Sequence, residues 1–377
     1  MNYAQESLIQ HKKLGGKIEI ALKDDLSTKD KLSIYYTPGV AAVSSHLAKH
    51  PEETKKYTWT NNNVAVISDG SAVLGLGNIG PEGALPVMEG KAMLFKNFAG
   101  IDAVPIVLNV HSIEEIISTV KAIAPSFGGI NLEDIAAPQC FEIEERLVSE
   151  LNIPVMHDDQ HGTAIVVLAG LINAGLVTGK KIKDMKIVVV GSGAAGVAII
   201  KLLNAYANPD IIAIDSKGII HHERGNLNHT KIELLKMTNK RKVKGLLHDA
   251  LVGTDVFIGV SQPGLLTEDM IRSMNKDPIV FAMANPTPEI MPDIAKKAGV
   301  RIMATGRSDF PNQINNALVF PGIFRGALDN NVRKITTEHK IAAAEAIAGL
   351  VKKPSEDNII PPVNNKSLVG SISKLIV

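Results

Sequence analysis

The chain is almost without cysteine: among 377 residues, Cys140 alone carries a thiol. No intramolecular disulfide can form, which excludes a disulfide scaffold and points to a reducing compartment. The chain also lacks a surplus of either charge, with Lys+Arg 40 against Asp+Glu 39 and a formal net charge of +1. A protein that lives on phosphate backbones or anionic lipid needs a basic excess, so neither nucleic acid nor membrane is an expected partner. A local basic pocket for one anionic metabolite stays open. Long hydrophobic runs are missing too. The most apolar stretch, TAIVVLAGLINAGLV at 163–177, is interrupted by Asn173 and falls short of the ~20 residues that span a bilayer, so it reads as a buried helix. The opening MNYAQESLIQHKKLGGK has no apolar segment of the export type, and a cytoplasmic location is expected.

What is present is enough for large cores, with 45% hydrophobic residues. At ~100–200 residues per domain the length suggests two or three units. Short apolar runs alternate with segments of helical period. NVAVISDG (63–70), AVPIVLNV (103–110) and IPVMHDD (153–159) read as strands, the last ending in acids. Segments 80–100, 112–124 (capped by Ser112) and 140–152 read as helices. A second α/β series starts near 185, with strands expected at 210–215, 254–260, 278–285 and 300–306. Such alternation implies parallel strands with helical crossovers, whose functional side chains collect beyond the carboxyl ends of the strands. The expected fold is therefore α/β. An N-terminal unit over 1–160 has parallel strands, and a Rossmann-like doubly wound unit over 161–377 includes a helical C-terminal tail that packs back on one of the two.

Gly191, Ser192, Gly193, Ala194, Ala195 and Gly196 follow a strand and open a helix, and Asp215 comes 19 residues after Gly196. The glycines allow a tight turn and let a pyrophosphate sit on the helix N-terminus. Asp215 would accept hydrogen bonds from an adenosine ribose, favouring NAD, while Ser216 and Lys217 offer a 2′-phosphate a donor and a positive charge and keep NADP in play. Two acidic pairs, Glu133–Asp134 and Asp158–Asp159, sit at element ends and can meet over one crevice as oxygen ligands for Mg²⁺ or Mn²⁺. Read blandly, they are helix-start and loop acids. His157 and His161 raise zinc as an alternative, although a shared helical face is doubtful across a strand end. Lys91 lies in the apolar run PVMEGKAMLF, either as a base with a lowered pKa or as a snorkelling stem. Tyr36 precedes the turn Thr37-Pro38-Gly39, with Tyr35 an equal candidate for the same place.

The segments YYTPGV, AVISDGSAVLGLGNIGP, MEGKAMLFKNFAG, FGGINLEDI, VMHDDQHGTAIVVLAG, GSGAAG, FAMANPTPE and ATGRSDFPNQINNALVFPG, in this order, resemble a malic enzyme of the short bacterial type. The resemblance implies oxidative decarboxylation of L-malate with reduction of NAD or NADP, and a homodimer. It implies a divalent cation on Glu133, Asp134 and Asp159. Lys91 would be the general base, Tyr36 the general acid and Asp158 the neighbour of the lysine. Asn285, Asn315 and Asn316 would contact substrate and the nicotinamide end of the cofactor. Large-type malic enzymes carry an arginine where Ala72 stands, so malate's distal carboxylate needs another partner, with Ser71, the backbone N–H groups of the GLGNIG loop and Arg307 as candidates. Competing readings are a metal-independent dehydrogenase of another 2-hydroxy or amino acid, a zinc hydrolase, and a non-catalytic dinucleotide sensor.

Overall fold

Asn63–Ser68 (β1) is apolar without alternation and buried at every position, as expected of a strand covered on both faces. In the computed structural model, which describes residues 3–73 and 75–377, β1 lies inside a four-stranded parallel sheet with Asp102–Val107 (β2), Ile130–Leu132 (β3) and Val155–His157 (β4), in the order β2-β1-β3-β4. Helices Gly80–Ala99, Ile113–Ile123 and Gln139–Glu150 make the crossovers. Ser112 caps the second of these by accepting from the Glu115 N–H.

The second sheet holds Lys186–Val190 (β5), Asp210–Asp215 (β6), Gly218–Ile219 (β7), Val256–Gly259 (β8), Ile279–Ala282 (β9) and Ile302–Thr305 (β10). Read from one edge the order is β7-β6-β5-β8-β9-β10, parallel except for β7. That is the doubly wound dinucleotide order with its reversal between β5 and β8. The two-residue antiparallel β7 is an addition too short to leave a periodic signal.

Between the sheets runs the helix Asp158–Thr178. It is the one helix among the described residues long and apolar enough to cross a membrane, and 67% of that window is buried inside the molecule. Asn173 is accommodated there by donating to the Ala348 and Ile359 carbonyls. The helix begins earlier than the sequence suggests: β4 stops at His157, and Asp158 and Asp159 form the first helical turn instead of a strand end. Carboxylates at that position are favoured by the helix dipole.

The tail also differs from expectation, because it packs on both units. Thr337–Gly349 lies along the central helix, while Phe320–Asp329 sets Phe320 and Phe324 against Phe95 of Gly80–Ala99, with ring centroids 4.7 and 5.5 Å apart. One apolar core thus runs from Val64 and Met88 through the central helix to Ile258 and Phe281. The N-terminal helices Tyr3–Leu14, Lys29–Tyr35 and Val40–Lys49 bury no residue.

Candidate active site

Lys91 sits on the inward stripe of Gly80–Ala99, with Ala84, Met88, Ala92 and Phe95. Its residue exposure is 7%, so the ammonium stays inside instead of snorkelling. Lys91 Nζ lies 2.6 Å from Asp158 Oδ2 and 2.7 Å from Glu133 Oε1, and 4.3 Å above the Phe320 ring. Burial alone would lower its pKa; the charges of Asp158, Glu133 and Asp159 outweigh it and hold the ammonium above its ordinary value.

The acids converge as the crevice argument requires. Ligand oxygens of Glu133, Asp134 and Asp159 all lie within 4.8 Å of one another, the one such group among the described residues. Glu133 follows β3 and accepts from Asn131 Nδ2 at 2.8 Å. Asp159 Oδ2 accepts the Asp134 N–H at 2.8 Å, and Asp134 holds a left-handed φ of 53°. Burial pushes Asp158 up to about 7 and Asp159 up to about 6, against the pull of Lys91; burial also raises Glu133. Clustered carboxylates that are costly to ionise together fit a hard divalent cation. Gly162 is part of this geometry: a Cβ there would lie 2.0 Å from Asp158 Oδ1 and 3.0 Å from the Asn316 Cβ.

His157 and His161 do not form a metal pair. His157 ends β4, fully buried, with Nδ1 3.7 Å from Asp159 Oδ2. His161 Nε2 lies 2.9 Å from Glu144 Oε2, and its Nδ1 lies 3.1 Å from Lys340 Nζ. Glu144 also accepts the His157 N–H (2.7 Å) and Gln160 Nε2 (3.1 Å). Despite burial, His161 and Lys340 hold Glu144 down to about 2. This residue braces the junction that carries both aspartates, and sequence reasoning missed it. Its signal was a lone acid on the stripe Cys140, Ile143, Leu147. Cys140 itself is a buried thiol pushed up to about 12, chiefly by burial, and is inert.

Tyr36 is 66% exposed at the end of Lys29–Tyr35, and its hydroxyl makes no hydrogen bond among the described residues; Tyr35 donates to Asp24. The Ser71 hydroxyl donates to Asp69 Oδ1 (2.6 Å) and accepts the Ala136 N–H (2.9 Å). Arg307 forms a two-point pair with Asp309 (2.8 and 2.6 Å) and reaches the Pro286 carbonyl (3.2 Å). Asn315 caps a short helical turn through the Ala317 N–H, and Asn316 lies beside Gly162. Asn285, beyond the end of β9, meets the first unit at Gly75, where a Cβ would lie 2.7 Å from the Asn285 carbonyl oxygen.

At the dinucleotide turn, a Cβ on Gly196 would stand 1.8 Å from the Gly191 carbonyl oxygen, so only glycine lets helix Ala194–Ala207 approach β5 this closely. A Cβ on Gly193 would meet nothing within 4 Å, which leaves room for a pyrophosphate beside Ser192, Ala194 and Ala195. Asp215 ends β6 as expected, but it is not free. Arg224 grips it at two points (2.9 Å each) and Lys231 Nζ lies 2.6 Å from Oδ2. Burial would raise its carboxyl; these cations hold it down at about 2.

Residues 15–148 match the family described as malic enzyme, N-terminal domain, and residues 160–374 match the malic enzyme NAD binding domain. A bifunctional malic/malolactic enzyme of Bacillus subtilis is 54% identical over the whole of this chain and 92% of its own length. An NADP-dependent malic enzyme of Halomonas elongata is 49% identical over 93% of this chain and 83% of its own. The crystal structure of the NAD-dependent malic enzyme of Thermotoga maritima superposes with a TM-score of 0.95 at 50% identity, covering 98% of both chains. With both units matched in order over nearly its whole length, the chain belongs to the malic enzyme family.

Proposed function

We propose that this chain oxidatively decarboxylates L-malate to pyruvate and CO₂, reducing NAD or NADP, with Mg²⁺ or Mn²⁺ held by Glu133, Asp134 and Asp159. The observation that carries the reading is Lys91, buried between Glu133 and Asp158 at the edge of the three-acid group. When bound, the cation supplies positive charge that favours negative charge on the substrate's C2 oxygen.

With Glu133 engaged as a ligand, Lys91 keeps Asp158 as its partner. Asp158 Oδ2, 2.6 Å from Nζ, holds the amine in place, and the divalent charge beside it would favour the neutral form. Neutral Lys91 takes the C2 hydroxyl proton as the C2 hydride leaves for the nicotinamide. The C3–carboxylate bond then breaks, and Tyr36 delivers a proton to C3. Asn285, Asn315 and Asn316 orient the substrate and the nicotinamide. Arg307 reaches malate's distal carboxylate by exchanging Asp309 for it, while Ser71, its hydroxyl already engaged, ties the loop after β1 to the loop after β3 through Asp69 and Ala136. The boundary between the substrate unit and the dinucleotide unit is set near residue 160, inside the first turn of the central helix.

Tyr36 needs cover that one copy does not provide. Its exposed arm also presents Leu8, Ile20, Leu22 and Ile34 to solvent. A homodimer in which these side chains are covered supports the acid role and leaves Lys91 without bulk water. A cytoplasmic setting suits the single buried thiol. The test is absorbance of reduced cofactor with L-malate, Mn²⁺ and NAD or NADP, with and without EDTA, alongside a pyruvate assay. Pyruvate formed in step with reduced cofactor, and abolished by EDTA, is the expected result. Binding of dinucleotide without turnover would overturn the assignment.

A further inference from the structure

A second cavity, of about 480 Å³, lies where Gln139–Glu150, the first turns of the central helix, Ala194–Ala207 and the start of Thr337–Gly349 come together. Lys91, the three acids and the GSGAAG turn take no part in its lining. The volume is that of a small-molecule site, ~300–1,000 Å³. Phe141, Val148, Met156 and Leu202 give it an apolar wall, and Lys201 and Lys340 supply two cations. Lys340 Nζ donates to His161 Nδ1 (3.1 Å), which leaves the ring proton on Nε2 to be donated to Glu144 Oε2 (2.9 Å). That is the one hydrogen bond of this half-buried ammonium among the described residues, so two of its three donors are unspent. Lys201 is exposed and makes neither a hydrogen bond nor an ion pair among them. The carboxylates on the lining do not answer these cations. Glu144 is spent on His161, Gln160 and the His157 N–H, and Glu145 is exposed and forms no ion pair. Burial draws the Lys340 ammonium below its ordinary value; Glu144 opposes that and Lys201 adds to it. Thr337, the first residue of a 13-residue helix, also lines the cavity, so the positive end of a helix dipole stands beside the two lysines.

We propose that this cavity binds a phosphate monoester with a small carbon skeleton, its phosphoryl group held by Lys340, Lys201 and the start of the Thr337–Gly349 helix, its carbon body on the apolar wall. A phosphoryl group carries close to two negative charges at neutral pH and three acceptor oxygens, which matches two ammonium groups and a helix end better than one carboxylate does. The site does not depend on malate being the substrate. It is nonetheless one hydrogen-bonded chain from the reaction centre, because Lys340, His161 and Glu144 lead to the backbone N–H of His157, the residue before Asp158 and Asp159.

The test is isothermal titration calorimetry of phenyl phosphate, inorganic phosphate and benzoate onto the full-length protein, with NADH present so that the dinucleotide turn is filled. Inorganic phosphate offers the charge without the body, and benzoate the body with a single carboxylate. Wild type is expected to bind phenyl phosphate about tenfold more tightly than either, since only that probe uses both the apolar wall and the cations. Lys340→Met and Lys201→Ala are each expected to weaken phenyl phosphate by roughly ten- to a hundredfold, the worth of one charged hydrogen bond. Lys201→Glu, a charge reversal at an exposed position, is expected to weaken it further and decides the matter if Lys340→Met fails to fold. Absence of saturable phenyl phosphate binding, benzoate binding as tightly as phenyl phosphate, or phenyl phosphate affinity unchanged in Lys201→Glu would overturn the proposal. Malate turnover in the same preparation reports on the proposed reaction separately, so the failure of one reading is not mistaken for the failure of the other.

Discussion

Lys91 and Asp158 form a buried ion pair at 2.6 Å, and their surroundings give sharp expectations. Removing a general base costs about 10²–10⁴ in rate. Lys91→Ala should therefore lose malate oxidation by at least that range while NADH affinity, measured by fluorescence, stays within about twofold, because Lys91 lies outside the second sheet. Gly162→Ala tests the geometry without touching a charged group. Its Cβ would meet Asp158 Oδ1 at 2.0 Å, and Asp158 is fully buried, so the carboxylate has to move. Misplacement on the order of 1 Å can cost about a hundredfold. Steady-state kinetics should show kcat falling by roughly ten- to a hundredfold; wild-type kcat would place Asp158 outside the reaction.

The same carboxyls give the metal-free protein a pH signature. Asp158 and Asp159 are pushed up to about 7 and about 6 from an ordinary 3.8, chiefly by burial. A carboxyl raised in the folded state favours folding while protonated, and that contribution is lost as pH climbs through the folded value. Thermal unfolding in EDTA should therefore show Tm declining between pH 5 and pH 8, with the Mn²⁺-induced rise in Tm growing over the same range. A Mn²⁺ shift equal at both ends would show that the cation is not relieving these acids.

At the scale of elements, Phe320–Asp329 makes the tail part of the site. Phe320 is fully buried, packs on Phe95 and lies under the Lys91 ammonium. Phe320→Ala should cost about 3–5 kcal/mol in urea unfolding, the range for a buried aromatic, and impair turnover as well. A loss of stability with unaltered kinetics would make the contact purely structural. This scale also shows what the sequence makes legible. The alternation of apolar runs and helical periods, the Ser112 cap and the GSGAAG turn are local, and they appear where their residues predict. Asp158 and Asp159 in a helical first turn are less legible, since a short apolar run followed by acids reads equally as a strand end. The tail's double allegiance, Glu144 under His157, and Arg224 with Lys231 on Asp215 depend on contacts between distant segments, which leave no period in the sequence. That the pairs Glu133–Asp134 and Asp158–Asp159 could meet over one crevice is legible from their places at element ends, with ordinary element-end acids as the equal alternative; the choice of Glu133, Asp134 and Asp159 as the ligand set came from the family resemblance.

For the whole molecule, the two sheets share one core through the central helix, so the crevice is assembled by folding and not by docking of separate bodies. What one chain leaves open is its N-terminal arm, with Tyr36 in solvent. The measurement that tests the account most directly is Mn²⁺ binding by electron paramagnetic resonance in wild type, Asp159→Asn and Lys91→Ala, with malate turnover in the same samples. The account predicts one bound Mn²⁺ in wild type and in Lys91→Ala, turnover in wild type alone, and neither binding nor turnover in Asp159→Asn. Mn²⁺ bound as tightly by Asp159→Asn as by wild type would contradict it, because the cation would then sit somewhere other than beside Lys91.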